Sequence, residues 1–224
     1  MKKSEIIMAA CILAMAGNAA EIDKPAVSAG AGQAIAVQQP QDEIQKAVGA
    51  YFADVFAKFK EVADKKPTVD TYREAMKPMA DKMEGLYGAT FIDTNFVIRQ
   101  VYHASHFLAK GFDLKKVKEL DYFWDQMRKT PEPQVSEPGH GSLIQPRLIA
   151  MRYPVVTDGK LQAVVSIMVR TEVFLKAVGL DKCQAYKITC RGTLAEENGD
   201  LKTGDVKSFN ISLPSNDWKI EYKK

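Results

Sequence analysis

The chain has 224 residues, 46% of them hydrophobic and 26% charged, which suits an ordinary soluble protein with length for one good core or two small ones. Its 31 basic and 28 acidic side chains are mixed along the sequence and leave a formal net charge of +3. No polyanionic partner is implied by that balance, and nucleic acid is not expected.

The N-terminus reads as a secretory signal over residues 1–20. Lys2-Lys3 supply the positive end, Ile6 to Ala16 the apolar core and Gly17-Asn18-Ala19-Ala20 a small-residue cleavage site near Ala19/Ala20. The apolar segment is shorter than the about 20 residues that a membrane span needs, and no second long apolar run follows. The apolar run also continues past Cys11, which argues against a lipid-attachment cysteine. A periplasmic or secreted bacterial protein is the expectation. Residues 21–41 are rich in Ala, Gly, Gln and Pro and read as a flexible leader, because such a composition buries too little apolar surface to offset its ordering entropy. A single folded unit is expected over residues 42–224.

Asp42 is a good cap for a long helix that carries Ile44, Val48, Tyr51, Phe52, Val55, Phe56, Phe59 and Val62 on one stripe. Pro67 ends it. A second helix capped by Thr68 or Asp70 follows, kinked by Pro78 and closed by Gly85. Residues 86–102 read as a hairpin turning at Asp93-Thr94-Asn95. Leu114 to Lys129 reads as a helix with Val117, Leu120, Phe123, Trp124 and Met127 on one side. It is flanked by loop-like stretches, the later one with three prolines and two glycines. Compact domains seldom carry such long loops unless they cover a site.

The centre of the sequence is the segment Leu143 to Val169. Two apolar strands meet there at Asp158-Gly159, the strongest short-range hairpin signal. Leu148 to Val156 is broken only by Arg152, and Ala163 to Val169 only by Ser166. Strands this apolar belong in mid-sheet, covered on both faces. A short helix capped by Thr171 and ended by Gly179 follows. Tyr186 to Leu201 then reads as one strand turning at Asn198-Gly199, and the chain finishes with Val206 to Pro214 and Trp218 to Lys224. If Cys183 and Cys190 lie on one strand, as Gln184 to Thr189 suggests, they stand seven residues and roughly 23 Å apart at ~3.3 Å per residue. A disulfide needs Cα atoms within about 7 Å, so two free thiols are expected.

The export signal, the long amphipathic helix, the hairpin GATFIDTNFVIRQVY, a helix ending in YFW, a Pro/Gly loop and then RLIAMRYPVVTDGKLQAVVSIMVRTEVFLKAVGL resemble the extracytoplasmic Cache sensor domains, which are PAS-like. Within the last block the resemblance rests on Pro154, Gly159-Lys160, Met168 and Leu175. It implies an α+β fold with a central antiparallel sheet of about five strands, the long N-terminal helix on one face and a loop and helix cover on the other. A small molecule would lie between sheet and cover. In the amino-acid-binding branch an aromatic pair and an Arg on the cover grip the ligand carboxylate, and an Asp on the last hairpin strand grips its amine. Phe123-Trp124 stand for the aromatics and Arg128 for the cation, while the Asp position falls on Met168. That replacement points away from an α-amino acid and toward an organic acid or an apolar molecule.

The candidate ligand-binding set is Tyr102, His103, Trp124, Arg128, Arg147, Met151, Tyr153 and Met168. Trp124 and Tyr153 serve equally well as core aromatics. Arg147 and Arg152 have opposite parity on one strand, so at most one of them faces the pocket; Arg147, beside the Pro/Gly loop, is preferred, with a surface or structural ion pair as the alternative for either. His103, His106 and His140 make a weak metal pattern without nearby Cys or paired carboxylates, so neither a metal nor a cofactor is expected. No Gly-x-Ser-x-Gly, phosphate loop, His-Glu-x-x-His or Cys-x-x-Cys occurs, and a non-enzymatic role is expected. The leading expectation is a free-standing binding protein that captures a small ligand and either presents it to a membrane receptor or buffers it. The alternative is a structural or protein-interaction module, without a small ligand, that uses the aromatic face of the first helix to meet a partner or a second copy.

Overall fold

Two faces of one sheet organise this chain, and the alternation of side chains along its strands decides what each face holds. The computed structural model describes residues 42–102, 110–139 and 146–224. The expected signal peptide, the expected leader and the three histidines lie outside the described residues.

Helix α1 spans Glu43–Asp64, with the Asp42 carboxylate accepting the Ile44 N–H at 2.9 Å as its cap. Helix α2, Tyr72–Ala80, contains Pro78. Strands β1 (Leu86–Asp93) and β2 (Ile98–Val101) form the first hairpin, and β4 (Leu148–Thr157) and β5 (Lys160–Arg170) the second. The second hairpin turns at Asp158 and Gly159, both with positive φ, as the Asp-Gly pair requires. Between the hairpins come two 3-10 turns, Leu114–Lys116 and Lys118–Leu120, then α3 (Asp121–Lys129) and the two-residue strand β3 (Gln134–Val135). The single helix expected over residues 114–129 is therefore regular only from Asp121. Val117, in an extended conformation with its side chain buried, interrupts the part before it.

All five strands pair antiparallel in the order β2-β1-β5-β4-β3, which puts the apolar hairpin in the middle of the sheet. Odd-numbered residues of β4 and β5, among them Ile149, Met151, Val155, Val165 and Ile167, join Ala89 and Phe91 against α1 in the larger core. Even-numbered residues face the other way. There Ile92, Ile98 and Val164 meet Phe96, Trp124 and Met127 in a second, smaller cluster beneath α3.

Helix α4, Thr171–Val178, ends at Gly179 in the left-handed conformation, as expected. Its cap position is Arg170; Thr171 is already helical, with its hydroxyl buried. The segment expected as one strand is a hairpin, β6 (Ala185–Cys190) and β7 (Thr193–Asn198), turning at Arg191-Gly192, both with positive φ. With β8 (Lys207–Leu213) and β9 (Asn216–Lys223) it forms a second sheet, ordered β7-β6-β9-β8. Both sheets share one connection rule: the first strand of the earlier hairpin pairs with the last strand of the later one.

The second sheet packs its Ile188, Trp218, Ile220 and Tyr222 into the same core as α1. Phe52, Phe174 and Trp218 meet there with ring centroids 5.4 to 5.8 Å apart, joining α1, α4 and β9. The aromatic stripe that the sequence offered to a partner packs into this core instead: Ile44, Val48, Phe52, Val55, Phe59 and Val62 are buried, and Tyr51 and Phe56 are half-buried against it. Among the described residues no helix is long and apolar enough to cross a membrane. Cys183 and Cys190 are buried free thiols.

Candidate ligand-binding site

On the face of the first sheet opposite α1, four polar residues stand in one cross-strand row. Gln134 lies opposite Arg152, Arg152 opposite Ser166, and Ser166 opposite Thr90. All four are buried. The lone polar interruptions of the two central strands are therefore register partners, which concentrates polarity at one level of an otherwise apolar face.

Arg152 is the dominant group of the row. Only 5% of it is exposed, and its guanidinium carbon lies 5.0 Å from the Phe123 ring centroid and 4.9 Å from that of Trp124. Among the described residues it forms no ion pair, and its Nη1 has no hydrogen-bond partner. Burial pushes its pKa down to about 10, and the charge of Glu137 opposes that shift. The guanidinium remains a cation at neutral pH. Glu137 is itself engaged by an ion pair with Arg191 in the β6–β7 turn.

Two further buried polar atoms without partners among the described residues belong to its neighbours. Gln134 donates its amide Nε2 to the Phe123 carbonyl at 2.7 Å, while its Oε1 is unpartnered, as is the indole Nε1 of Trp124. Trp124 stacks on Phe96 with centroids 4.7 Å apart. Phe96 holds φ at +59°, costly for a bulky side chain, and the turn that imposes it is tied by Asp93, whose Oδ1 accepts the N–H groups of Asn95 and Val97 at 2.9 Å. Polar row, stacked aromatics and a buried cation without an ion pair among the described residues together can hold a planar anion: guanidinium groups bind carboxylates by paired hydrogen bonds, and apolar walls strengthen such bonds.

The eight residues proposed from sequence divide among different surroundings. Trp124 and Met168 share the face that carries the polar row; Met168 lies opposite Ala150 and Gly88, one level along from Ser166. Arg128 places its guanidinium 4.7 Å from the Phe96 centroid and pairs with Asp125 at 2.8 Å near the surface. Met151 is fully buried on the α1 face, and Tyr153 stacks there on Phe59 with centroids 6.2 Å apart. Tyr102 donates its hydroxyl to Asp81 at 2.8 Å, which ties it to the end of α2. Arg147 forms an ion pair with the buried Glu196 of β7, which also accepts the Tyr186 hydroxyl at 3.3 Å. His103 lies outside the described residues. Arg152, Gln134 and Phe96 were not in the expected set. The isolated charge in an apolar run was the available signal for Arg152; a two-residue strand leaves none for Gln134.

Neither a family model nor a curated protein matches the sequence. Solved structures match its fold. An extracellular ligand-binding receptor from Desulfohalobium retbaense aligns with a TM-score of 0.61 at 13% identity, over 80% of this chain and 39% of that one. The ligand-binding domain of the Pseudomonas fluorescens chemoreceptor CtaA, in complex with L-leucine, aligns with a TM-score of 0.54 at 11% identity, over 81% of this chain and 88% of that one. The ligand-binding domain of the Pseudomonas aeruginosa amino acid chemoreceptor PctC, in complex with GABA, aligns with a TM-score of 0.52 at 13% identity, over 80% and 91%. The chain thus spans about two fifths of the receptor's length and about nine tenths of the two chemoreceptor domains. Shared over four fifths of this sequence, that architecture is the PAS-like fold of the extracytoplasmic Cache sensor domains, and this chain has it.

Proposed function

We propose that residues 42–224 form an exported, non-enzymatic sensing module that binds a small carboxylate with Arg152. The observation that carries this reading is the buried guanidinium that forms no ion pair among the described residues and leaves its Nη1 without a hydrogen-bond partner. An unpaired buried charge costs several kcal/mol, and a bound carboxylate would offset that cost. The fold supports the class of function, since the chemoreceptor domains that share it bind L-leucine and GABA. Around Arg152 the set consists of Gln134, Phe96, Trp124 and Met168, with Arg128 at the rim. A membrane receptor that reads the liganded state is the proposed partner.

A thermal-shift screen of carboxylates, amino acids and amines tests this. A ligand at a hundredfold excess over its Kd adds about 2.7 kcal/mol. For a domain of this size that raises Tm by roughly 5–10 °C. Carboxylates are expected to give the shift and Arg152→Met to abolish it. Equal shifts in wild type and variant would remove Arg152 from the site.

A further inference from the structure

We infer that the anion held at Arg152 is a 2-hydroxy carboxylate, selected over plain and amino acids of the same size by Gln134 and Trp124; this rests on the reading of Arg152 as the anion-binding cation. Gln134 and Trp124 each lie beside Arg152, and among the described residues each of these three buried side chains leaves one polar atom unpartnered: Arg152 Nη1, Trp124 Nε1 and Gln134 Oε1. Their adjacency is given by the Gln134–Arg152 register pair and by the guanidinium over the Trp124 ring at 4.9 Å. Gln134 is 1% exposed and Trp124 1%.

The chemistry of the three atoms is unequal. Nη1 and Nε1 are donors, one of them charged, and together they suit the two oxygens of a carboxylate. Gln134 Oε1 is an acceptor. The amide orientation is not arbitrary, because the Phe123 carbonyl that faces its other end can only accept, so the nitrogen must lie there and the oxygen must be the free end. A plain carboxylate has no hydrogen to offer that oxygen. An ammonium group has, but it brings a second positive charge beside Arg152, and Glu137, the acid whose charge acts on Arg152, is held by Arg191. A neutral hydroxyl on the carbon next to the carboxylate supplies the missing donor without adding charge. It is the smallest addition that satisfies all three atoms at once.

The experiment is calorimetric titration of the exported chain with lactate, glycolate, propionate and alanine, each also titrated into Gln134→Met and Arg152→Met. Leaving a buried acceptor unpaired costs enough to predict that lactate and glycolate bind at least about tenfold more tightly than propionate, and alanine more weakly still. Gln134→Met is expected to bring lactate and propionate to within about threefold of each other, and Arg152→Met to abolish all binding. Equal affinity for lactate and propionate in the wild type, lost in Arg152→Met, would overturn the hydroxyl selection while leaving the carboxylate site standing. Lactate binding that survives Arg152→Met would overturn the site itself. The comparison within the wild type decides the matter even if a variant fails to fold.

Discussion

Arg152 and Arg191 stand over the same ring, Phe123, at 5.0 and 5.2 Å from its centroid, although one belongs to the first sheet and the other to the turn of the second. Arg191 has Glu137 as a counter-ion, and Arg152 has none among the described residues. Two cations over one aromatic ring, with Glu137 paired to Arg191 rather than to Arg152, make the first sheet's polar row an unfavourable element of the unliganded fold.

The first prediction follows from that cost. The drop in the Arg152 pKa from 12.5 to about 10 corresponds to roughly 3 kcal/mol against the charged form, and stacking on Phe123 and Trp124 offsets part of it. Arg152→Met, which keeps the apolar bulk, is expected to stabilise the unliganded protein by about 1–2 kcal/mol while removing carboxylate binding. The urea midpoint measured without ligand checks this; a variant less stable than wild type would show that the guanidinium is held by something other than the ligand.

The second prediction concerns the turn that presents Phe96. Burial raises the Asp93 pKa, but hydrogen bonds from the Val97 N–H and from Arg99, with the Arg99 charge and the Asn95 N–H, outweigh it and hold the carboxyl below its ordinary value. Its folded pKa lies below the unfolded one, so its contribution is complete above the unfolded value of about 3.9 and is lost as pH falls through the folded value. Asp93→Asn keeps one acceptor oxygen and loses the charge. The variant is expected to be about 1 kcal/mol less stable than wild type at pH 7, with the gap closing toward pH 3. A gap that stays constant between pH 6 and pH 3 would contradict this.

Much of this architecture was legible because local chemistry and tertiary structure agree. The stripe from Ile44 to Val62, the Asp158-Gly159 turn and Gly179 at the end of α4 each have one conformation that suits them. The β6–β7 turn was not legible, since Arg191 at positive φ lacks the Asn or Asp signature and the residues on either side continue an extended pattern. The choice between Arg147 and Arg152 shows a second kind of limit. Opposite parity separates the two, but both faces of β4 are apolar, so nothing local says which one lies under α3. Proximity to the Pro/Gly loop favoured Arg147, which instead reaches Glu196 on a strand that the sequence placed in no definite position. Gln134 depends on a two-residue pairing, below the length at which any periodicity can be read.

Glycine substitutions of opposite sign supply the third prediction. Gly85 has φ +73°, and a Cβ there would lie 2.6 Å from the Val173 Cβ; its carbonyl also accepts the Arg170 N–H at 2.9 Å where β5 passes into α4. Gly85→Ala is expected to lose about 2–4 kcal/mol, from left-handed strain and overlap together. Gly49 lies within α1, and a Cβ added there would meet nothing within 4 Å. Gly49→Ala is expected to gain up to about 1 kcal/mol through helix propensity. Denaturant unfolding of the two variants checks both signs.

The last prediction concerns the two thiols. Cys190 ends β6 at 1% exposure, and burial pushes its thiol well above the ordinary range; burial raises Cys183 as well, against the opposing charge of Lys224. Only the thiolate attacks a disulfide reagent, so a raised pKa and lack of access slow the reaction together. Cys190 pairs across the sheet with Trp218, and Cys183 lies 3.8 Å from the Gly179 carbonyl, so neither is released without opening the second sheet or the end of α4. In the chain without its first 20 residues, an aromatic disulfide reagent at pH 8 is expected to label neither thiol natively and both in urea. The rate of labelling at low urea then reports the opening of the second sheet, and ligand at Arg152 is expected to slow it, because Arg191 and Glu137 tie the β6–β7 turn to the same Phe123 ring. Prompt labelling of the native protein would show that this sheet is open without denaturant.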